Sequence, residues 1–506
     1  MARIFQNTNV PKEVVDFETA LMAGLGSEYG LYTVPKNKIP LLSADQIAGL
    51  SGKAYSQIAF EVLNPFIGDE IPRHDLIPLL RKAYPDEMKP VLEHVIGEAY
   101  LMWLTEGSTY SFKDYAARFF GQTLDYFLRK SRDRRLVLTA TSGDTGGAIA
   151  DALFGLESVD VVVFYPRGAV TEEQRRQMTT LGGNVHAFDV EGDFDVCQAL
   201  AKQLMGDKLF AKIAFGDENR LTSANSISLG RMLPQIVFPF YAYSQVGQLK
   251  TESASALGYE SLLHTQNMPM VVSIPGGNLG SLMGTIIAKA MGAPISRILC
   301  GVNENTEFPE FLRTDEYAIR PTQHCPSSAQ DVSHASNLAR IIFHYGGHMY
   351  DEREPVTREV IRPGVITRMP NMQLMNDEIF SRGVSNEQHY GTMNSMYQNH
   401  EIVLDPHGAT AWRVLEDYID EHYEGDFSSV VSVSYETADP GKFPNEVKHA
   451  LGFAPDVPKG IQEQAKLPER VHRIESRPYQ SVSGVYRLSP EQFSEAKERI
   501  AELIAA

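Results

Sequence analysis

Residues 136–166 read LVLTATSGDTGGAIADALFGLESVDVVVFYP, and this stretch decides the fold. Residues 136–140 form an apolar run of strand length, 141–147 a glycine-rich turn, and 148–156 a helix. Residues 159–165 are an unbroken run rich in β-branched residues, which predicts a strand buried on both faces, closed by Pro166-Arg-Gly168. Thr171-Glu-Glu-Gln174 has the spacing of a capping box and predicts the start of the next helix. Strand, helix, strand in that order implies parallel pairing through a right-handed crossover. The unit recurs downstream, with a strand at 270–274, the turn PGGNLG at 275–280, a helix at 281–291 and a strand at 295–302. Two such units predict an α/β architecture whose ligands lie outside the carboxyl ends of the strands.

The chain has 506 residues, about three domains at roughly 100–200 residues each. It is 43% hydrophobic and 22% charged, enough apolar material for a large core and far from a disordered composition. Its net charge of −18 gives no long-range attraction to phosphate backbones or anionic lipid, so neither nucleic acid nor membrane is an expected partner. Cys197, Cys300 and Cys325 have no CxxC spacing and make a poor disulfide framework, which favours a reducing compartment. The N-terminus lacks a basic region followed by an apolar one, and no run approaches the roughly 20 residues of a membrane span. A cytoplasmic protein is expected.

Residues 1–95 are a mixed region punctuated by proline, with a helical run at 14–25. Alternating strands and helices begin near residue 98. Residues 370–403 are polar and rich in Met and Asn, and read as loop or lid; the tail ends in an amphipathic helix at 489–505. The expected division is 1–95, then a large αβ domain from 96–135 with 245–452, a small αβ domain from 136–244, and an extension from 453–506.

Both glycine turns suit an anion, because a backbone without Cβ approaches closely and a helix N-terminus offers free N–H groups. Gly276, Gly277, Asn278 and Gly280 fit a phosphate cradle; Ser142, Gly143, Thr145 and Gly146 fit a carboxylate or phosphate. Neither turn is a P-loop or a G-x-G-x-x-G. Taken alone, each is as readily a tight βα turn without a ligand. Lys113 stands at a predicted helix start beside Phe112, with an apolar face of Tyr115, Phe119, Phe120, Leu124, Phe127 and Leu128 behind it. A helix N-terminus and aromatic neighbours lower an amine's pKa and suit it to act as nucleophile or base. On those neighbours alone a solvated surface lysine remains the plainer reading.

Nine collinear segments resemble the threonine synthase family, pyridoxal phosphate (PLP) enzymes of fold type II. They are FETALMAGLGSEYGLYTVP, EGSTYSFKDYAARFFGQTL, LTATSGDTGGAIADALFGL, GDFDVCQALAKQL, LTSANSISLGRMLPQIVF, VVSIPGGNLGSLMGTIIAKAMGAPISRILCGVNEN, SSAQDVSHASN, DPHGATAW and YETADPGKFPNEV, spread over roughly residues 17–448. The resemblance implies two open, twisted, mostly parallel αβ domains like the tryptophan synthase β-chain, with the cofactor between them, an N-terminal mixed domain and a C-terminal extension. It implies that Lys113 holds PLP as a Schiff base and then serves as general acid and base. Gly276, Gly277, Asn278, Leu279 and Gly280 would cradle the cofactor phosphate, and Thr437 would offer its hydroxyl to the pyridine nitrogen. Ser142, Gly143, Asp144, Thr145 and Gly146 would border the substrate carboxylate and the ring hydroxyl, with Thr109 nearby. Ser223, Asn225 and Arg231 would bind the substrate phosphate, Arg231 as the natural bidentate partner. The implied reaction turns O-phospho-L-homoserine and water into L-threonine and phosphate, by γ-elimination and β-hydration. One αβ domain is expected to close on the other as substrate binds. A small phosphorylated amino acid is then the only expected partner besides a second copy, as monomer or homodimer.

The chain departs from the family at several places. Glu106 and Asp439 stand where the family usually has His, Ala169 where a basic residue is common, Gly276 and Leu279 where Ser and Phe are usual, and Thr222 where Asn is frequent. These changes leave open a phospho-lyase that releases a 2-oxo acid, or a β/γ-replacement enzyme on a related amino acid. His407 matches a family His and reads as a capping or core residue; Asp331 and Ser333 read as support for the site. No HExxH or HxH motif and no G-x-S-x-G elbow occurs, so no metal site or hydrolase triad is indicated.

Overall fold

The structure, a computed structural model, describes residues 3–256, 269–355, 358, 360–480 and 486–505. Residues 257–268, inside the expected 245–452 segment, lie outside the described residues. Two open sheets organise the chain. The larger has six strands in the order Ile379–Gly383, Ile295–Val302, Met270–Pro275, Ser432–Glu436, Ala99–Trp103, Val91–Ile96, all parallel except the last pair. The smaller has five parallel strands in the order Val471–Ile474, Val185–Val190, Val159–Pro166, Arg135–Ala140, Leu221–Ser223. The fold class expected from the sequence is the one observed. Every residue of Arg135–Ala140 and Val159–Pro166 is buried, as strands covered on both faces require.

Sequence periodicity and structure agree closely along the αβ units. The helix Asp144–Leu153 begins within the glycine turn, four residues earlier than the pattern suggests, because Asp144 to Gly147 form its first turn. Thr171 and Gln174 make the expected capping box at the head of Glu172–Thr179. The helix Lys113–Ser131 buries Tyr115, Phe119, Phe120, Leu124, Phe127 and Leu128, the expected face, and packs on Asp144–Leu153.

Three expectations need correction. Residues 370–403 are not loop: Met372–Glu378 and Asn386–His400 are helices and Ile379–Gly383 is an edge strand of the large sheet. Their polarity reflects an exposed sheet edge, and Met375, Met393 and Met396 still supply buried anchors. The N-terminal helix spans only Phe17–Ala23, because Asp16 caps it and Val14–Val15 pairs with Phe5–Asn7. The tail also does more than end in the helix Pro490–Ala505. Val471–Ile474 adds a parallel strand to the small sheet, and Glu469 receives both Arg175 (2.8 and 3.0 Å) and the Thr179 hydroxyl (2.8 Å). Among the described residues no helix is long and apolar enough to cross a membrane.

Candidate active site

The residues singled out in the sequence follow the carboxyl ends of parallel strands, where both sheets offer their turns to one region. Lys113 begins the helix after Ala99–Trp103, and Thr437 directly follows Ser432–Glu436, the neighbouring strand. The two loops are stitched together. Phe112 N–H donates to the Thr437 carbonyl (2.9 Å), Asp439 N–H to the Tyr110 carbonyl (3.0 Å), and Ser111 bridges Ala438. The small sheet contributes Asp144, whose Oδ2 lies 4.0 Å from the Lys113 Nζ.

Asp144 is buried and serves a second lysine more closely: Lys442 Nζ lies 2.6 Å from its Oδ1 and is itself fully buried. Lys442 also donates to the Thr109 carbonyl (2.8 Å), and Gln174 Nε2 donates to Asp144 (3.0 Å). Burial alone would raise the Asp144 carboxyl, but Lys442, Lys113 and His407 together hold it well below the usual carboxylate range. Burial pushes the Lys113 amine below the usual lysine value, against the pull of Asp144, and Lys442 and Arg231 add to the lowering. An amine so placed gives up its proton readily and is ready for covalent or proton-transfer chemistry.

The turn after Met270–Pro275 has the features of an oxyanion cradle. Gly276 N–H donates to the Gly301 carbonyl (2.7 Å), but the N–H groups of Gly277, Asn278, Leu279 and Gly280 have no partner among the described residues. They lead into the helix Gly280–Ala290. A Cβ at Gly277 would stand 2.7 Å from the Ala329 carbonyl oxygen, so the turn leaves no room for a side chain there. Leu279 takes a left-handed φ of 56°, which aims the turn. Its supports come from distant chain. Gln330 Nε2 donates to the carbonyls of Gly276 (3.1 Å) and Gly301 (2.8 Å), and Asn337 Nδ2 to that of Asn278 (2.9 Å). Ser336 N–H and hydroxyl donate to Asn278 Oδ1, both at 3.3 Å.

The turn after Arg135–Ala140 presents two hydroxyls, on Ser142 and Thr145, that make no hydrogen bond among the described residues. Gly143 has a φ of 142°, and a Cβ there would run into Gln174. Its N–H (2.9 Å) and that of Gly146 (2.8 Å) are held by the Thr141 hydroxyl. Ser223 and Asn225 meet Asn278 around one cavity of about 10 Å³. The Asn225 amide is committed to the Ala140 backbone, donating to its carbonyl (2.7 Å) and accepting from its N–H (3.1 Å). Thr109 is likewise occupied: its N–H (2.9 Å) and hydroxyl donate to Asp114, whose carboxyl burial raises to about 6. Arg231 is buried, bonded to the Ala224 carbonyl (2.6 Å), with its Nε unpartnered. Burial lowers that guanidinium to about 10. A buried cation with a free donor among the described residues calls for an anion.

Sequence reasoning missed Lys442, Asp405, Gln174 and Gln330. Asp405 caps Pro406–Tyr423 and accepts from the N–H groups of Thr437 (3.2 Å) and Ala438 (3.0 Å), which sets the Thr437 hydroxyl's position. His407 Nε2 accepts from Ala329 N–H (3.2 Å), so its proton is on Nδ1 and goes to Asp405 (2.6 Å); the residue is a buried brace. Asp331 accepts from Asn303 (2.9 Å) and Ser333 meets the Thr322 hydroxyl, so both shape the loop that carries Gln330. Glu106 and Asp439, the departures from His, line one cleft of about 360 Å³ with Tyr110 and Asp456. Among the described residues no group of three or more His, Cys, Asp or Glu side chains gathers as for a metal ion.

Two predictions follow from these charges. Asp144→Asn leaves buried Lys442 without its counter-charge and should destabilise the fold by about 3–5 kcal/mol in urea unfolding. Burial holds Asp439 at about 6 against an ordinary 3.8, with Gly441 N–H and Lys442 pulling the other way. The native state therefore keeps a proton that the unfolded chain loses between those values, and stability falls as pH rises through that window. Asp439→Asn should raise the melting temperature by about 1–3 °C at pH 8 and by less at pH 4.

Comparison with known proteins identifies the family. A family profile described as "Pyridoxal-phosphate dependent enzyme" matches residues 101–435; "Threonine synthase N terminus" matches 4–84 and "Threonine synthase, C-terminal" matches 409–485. The threonine synthase of Escherichia coli is 33% identical over 91% of this chain and 94% of its own, and that of Saccharomyces cerevisiae 28% over 94% and 95%. The crystal structure of PLP-bound threonine synthase from Brucella melitensis superimposes with a TM-score of 0.82 at 27% identity, covering 100% of both chains. On profiles, sequence and structure alike, the chain belongs to the threonine synthase family of PLP-dependent enzymes.

Proposed function

We propose that this chain converts O-phospho-L-homoserine and water to L-threonine and phosphate. The observation that carries the reading is the buried Lys113 amine 4.0 Å from Asp144, with Lys442 and Arg231 close enough to act on its charge. PLP is the cofactor, and when bound it supplies the electron sink for carbanions at Cα and Cβ of the substrate. The chain's residues fit it. Lys113 would be the covalent anchor. The N–H groups of Gly277 to Gly280 would take the phosphate, and Thr437, whose N–H is held by Asp405, would offer a neutral hydroxyl to the ring nitrogen. Asp144, paired with Lys442, would border the ring hydroxyl.

The free hydroxyls of Ser142 and Thr145 hold the substrate carboxylate, and Arg231 with Ser223 and Asn225 takes the phosphoryl group. The Lys113 amine would remove the Cα proton and later return one. Its lowered pKa supports both tasks at neutral pH. A second proton leaves Cβ and phosphate leaves Cγ; a proton then goes to Cγ to make the methyl group, water adds its hydroxyl at Cβ, and Cα is reprotonated. The enzyme is cytoplasmic, a monomer or homodimer, and its three cysteines are all free among the described residues. Its domains are 1–95, 96–135 with 245–452, 136–244 and 453–506, and the small domain moves against the large one as substrate binds. One observation favours a second reading, a phospho-lyase that forms a 2-oxo acid: the carboxylates of Glu106 and Asp439 share a cleft where the family has His.

Lys113→Ala should abolish turnover of O-phospho-L-homoserine and the visible absorbance of the covalently held cofactor; retained activity would refute the assignment. Arg231→Ala should raise KM about 10- to 100-fold, the range for losing a charged hydrogen bond, while PLP affinity changes far less. Equal loss of both in titration and steady-state kinetics would mean that Arg231 serves the cofactor instead.

A further inference from the structure

The turn after Leu221–Ser223 has a cation on each side. Arg231 reaches the Ala224 carbonyl from one side. Lys202, on the helix Phe194–Gly206, lines the cavity of about 10 Å³ on the other, with Ser223, Asn225, Asn278 and Ser336. A second cavity of about 60 Å³ shares Lys202, Ile227 and Ser336 with the first and runs on past Tyr29, Asp351 and Arg353. Lys202 therefore stands where the two spaces meet, between the small sheet and the cofactor turn of the large one.

Its ammonium makes no hydrogen bond or ion pair among the described residues; Asp351, Arg353 and Asp195 are its charged surroundings. Lys202 is half-buried, and its three N–H donors reach the junction of the two cavities without an acceptor among the described residues, open to an anion there. One neighbouring polar group is an open donor as well, the Asn278 side-chain NH2, which makes no hydrogen bond among the described residues; the Ser223 and Ser336 hydroxyls turn to Asn225 (3.4 Å) and Asn278 (3.3 Å). Arg353, at the far end, stacks on Tyr29 (4.0 Å), lies 3.9 Å from Asp351, and keeps a buried Nε without a partner. Lys202 and Arg353 line the second cavity together with the Asp351 carboxylate, so two cations meet one anion there in a chain of net charge −18.

Resting on the function proposed above, we propose that Lys202 binds the phosphoryl group of the substrate, opposite Arg231, and sets specificity for the phosphorylated amino acid. The first cavity has room for about one water. A phosphoryl group fits only when the helix Phe194–Gly206 and the Asn278 turn stand further apart, so Lys202 ties ligand binding to the spacing of the two sheets.

The test uses PLP-loaded protein, wild type and Lys202→Gln, with Lys202→Met as a second variant should the first not fold. Steady-state kinetics on O-phospho-L-homoserine and competitive inhibition by inorganic phosphate are measured, with cofactor absorbance as the control. KM and the phosphate Ki should rise together, each by about 10- to 100-fold, with kcat falling less and absorbance retained. Lys202→Arg should recover part of the Ki. Unchanged KM and Ki in a wild-type enzyme that turns over would overturn the role of Lys202. A wild-type protein that turns nothing over would refute the function instead, and calorimetric binding of inorganic phosphate to wild type and variant would still decide Lys202.

Discussion

One buried carboxylate faces two lysines. Asp144 sits at the first turn of a small-sheet helix, and Lys113 and Lys442 reach it from loops of the large sheet. Neither charge is tolerable there alone, since stripping an ion of water costs several kcal/mol that only a well-placed partner offsets. The contact therefore fixes how the two sheets meet. It also divides the lysines by function: Lys442 is held at 2.6 Å and spent on structure, and Lys113, at 4.0 Å, is left free to react.

The rest of the site divides into polar groups engaged with the protein and groups left open. Thr109, Asp405 and His407 are engaged, and Asn225 spends its Oδ1 and one amide hydrogen on Ala140, leaving the second for a ligand. Among the described residues the N–H groups of Gly277 to Gly280, the hydroxyls of Ser142 and Thr145, and the Arg231 Nε have no partner. Open donors with rigid supports are what binding of anions at fixed positions requires, because reorganisation has already been met in folding. Three anionic groups are expected there, namely the cofactor phosphate, the substrate carboxylate and the substrate phosphate.

Local features were legible in the sequence. A glycine turn between a strand and a helix is a matter of adjacent residues, so the turns at 141–147 and 275–280, their strands, and Lys113 at a helix start could be read directly. Resemblance to a family then assigned them chemistry. Partners brought together by the fold were not legible. Lys442 meets Asp144 across 298 residues, and nothing near either names the other. Gln330, Asn337 and Asp405 support turns far from them in the chain, and look in sequence like ordinary polar residues. Residues 370–403 misled because an exposed sheet edge is as polar as a loop. Val471–Ile474, only partly buried, carried too little apolar pattern to be read as a fifth strand of the small sheet.

The central claim is that this site adds water to the carbon skeleton before releasing product, despite Glu106 and Asp439 beside it. The most direct measurement is product analysis of the purified, PLP-loaded protein on O-phospho-L-homoserine, with phosphate, threonine and 2-oxobutyrate quantified in the same reaction. Phosphate and threonine in equal amounts are the predicted result. Phosphate accompanied by 2-oxobutyrate in place of threonine would contradict the account and make the enzyme a phospho-lyase.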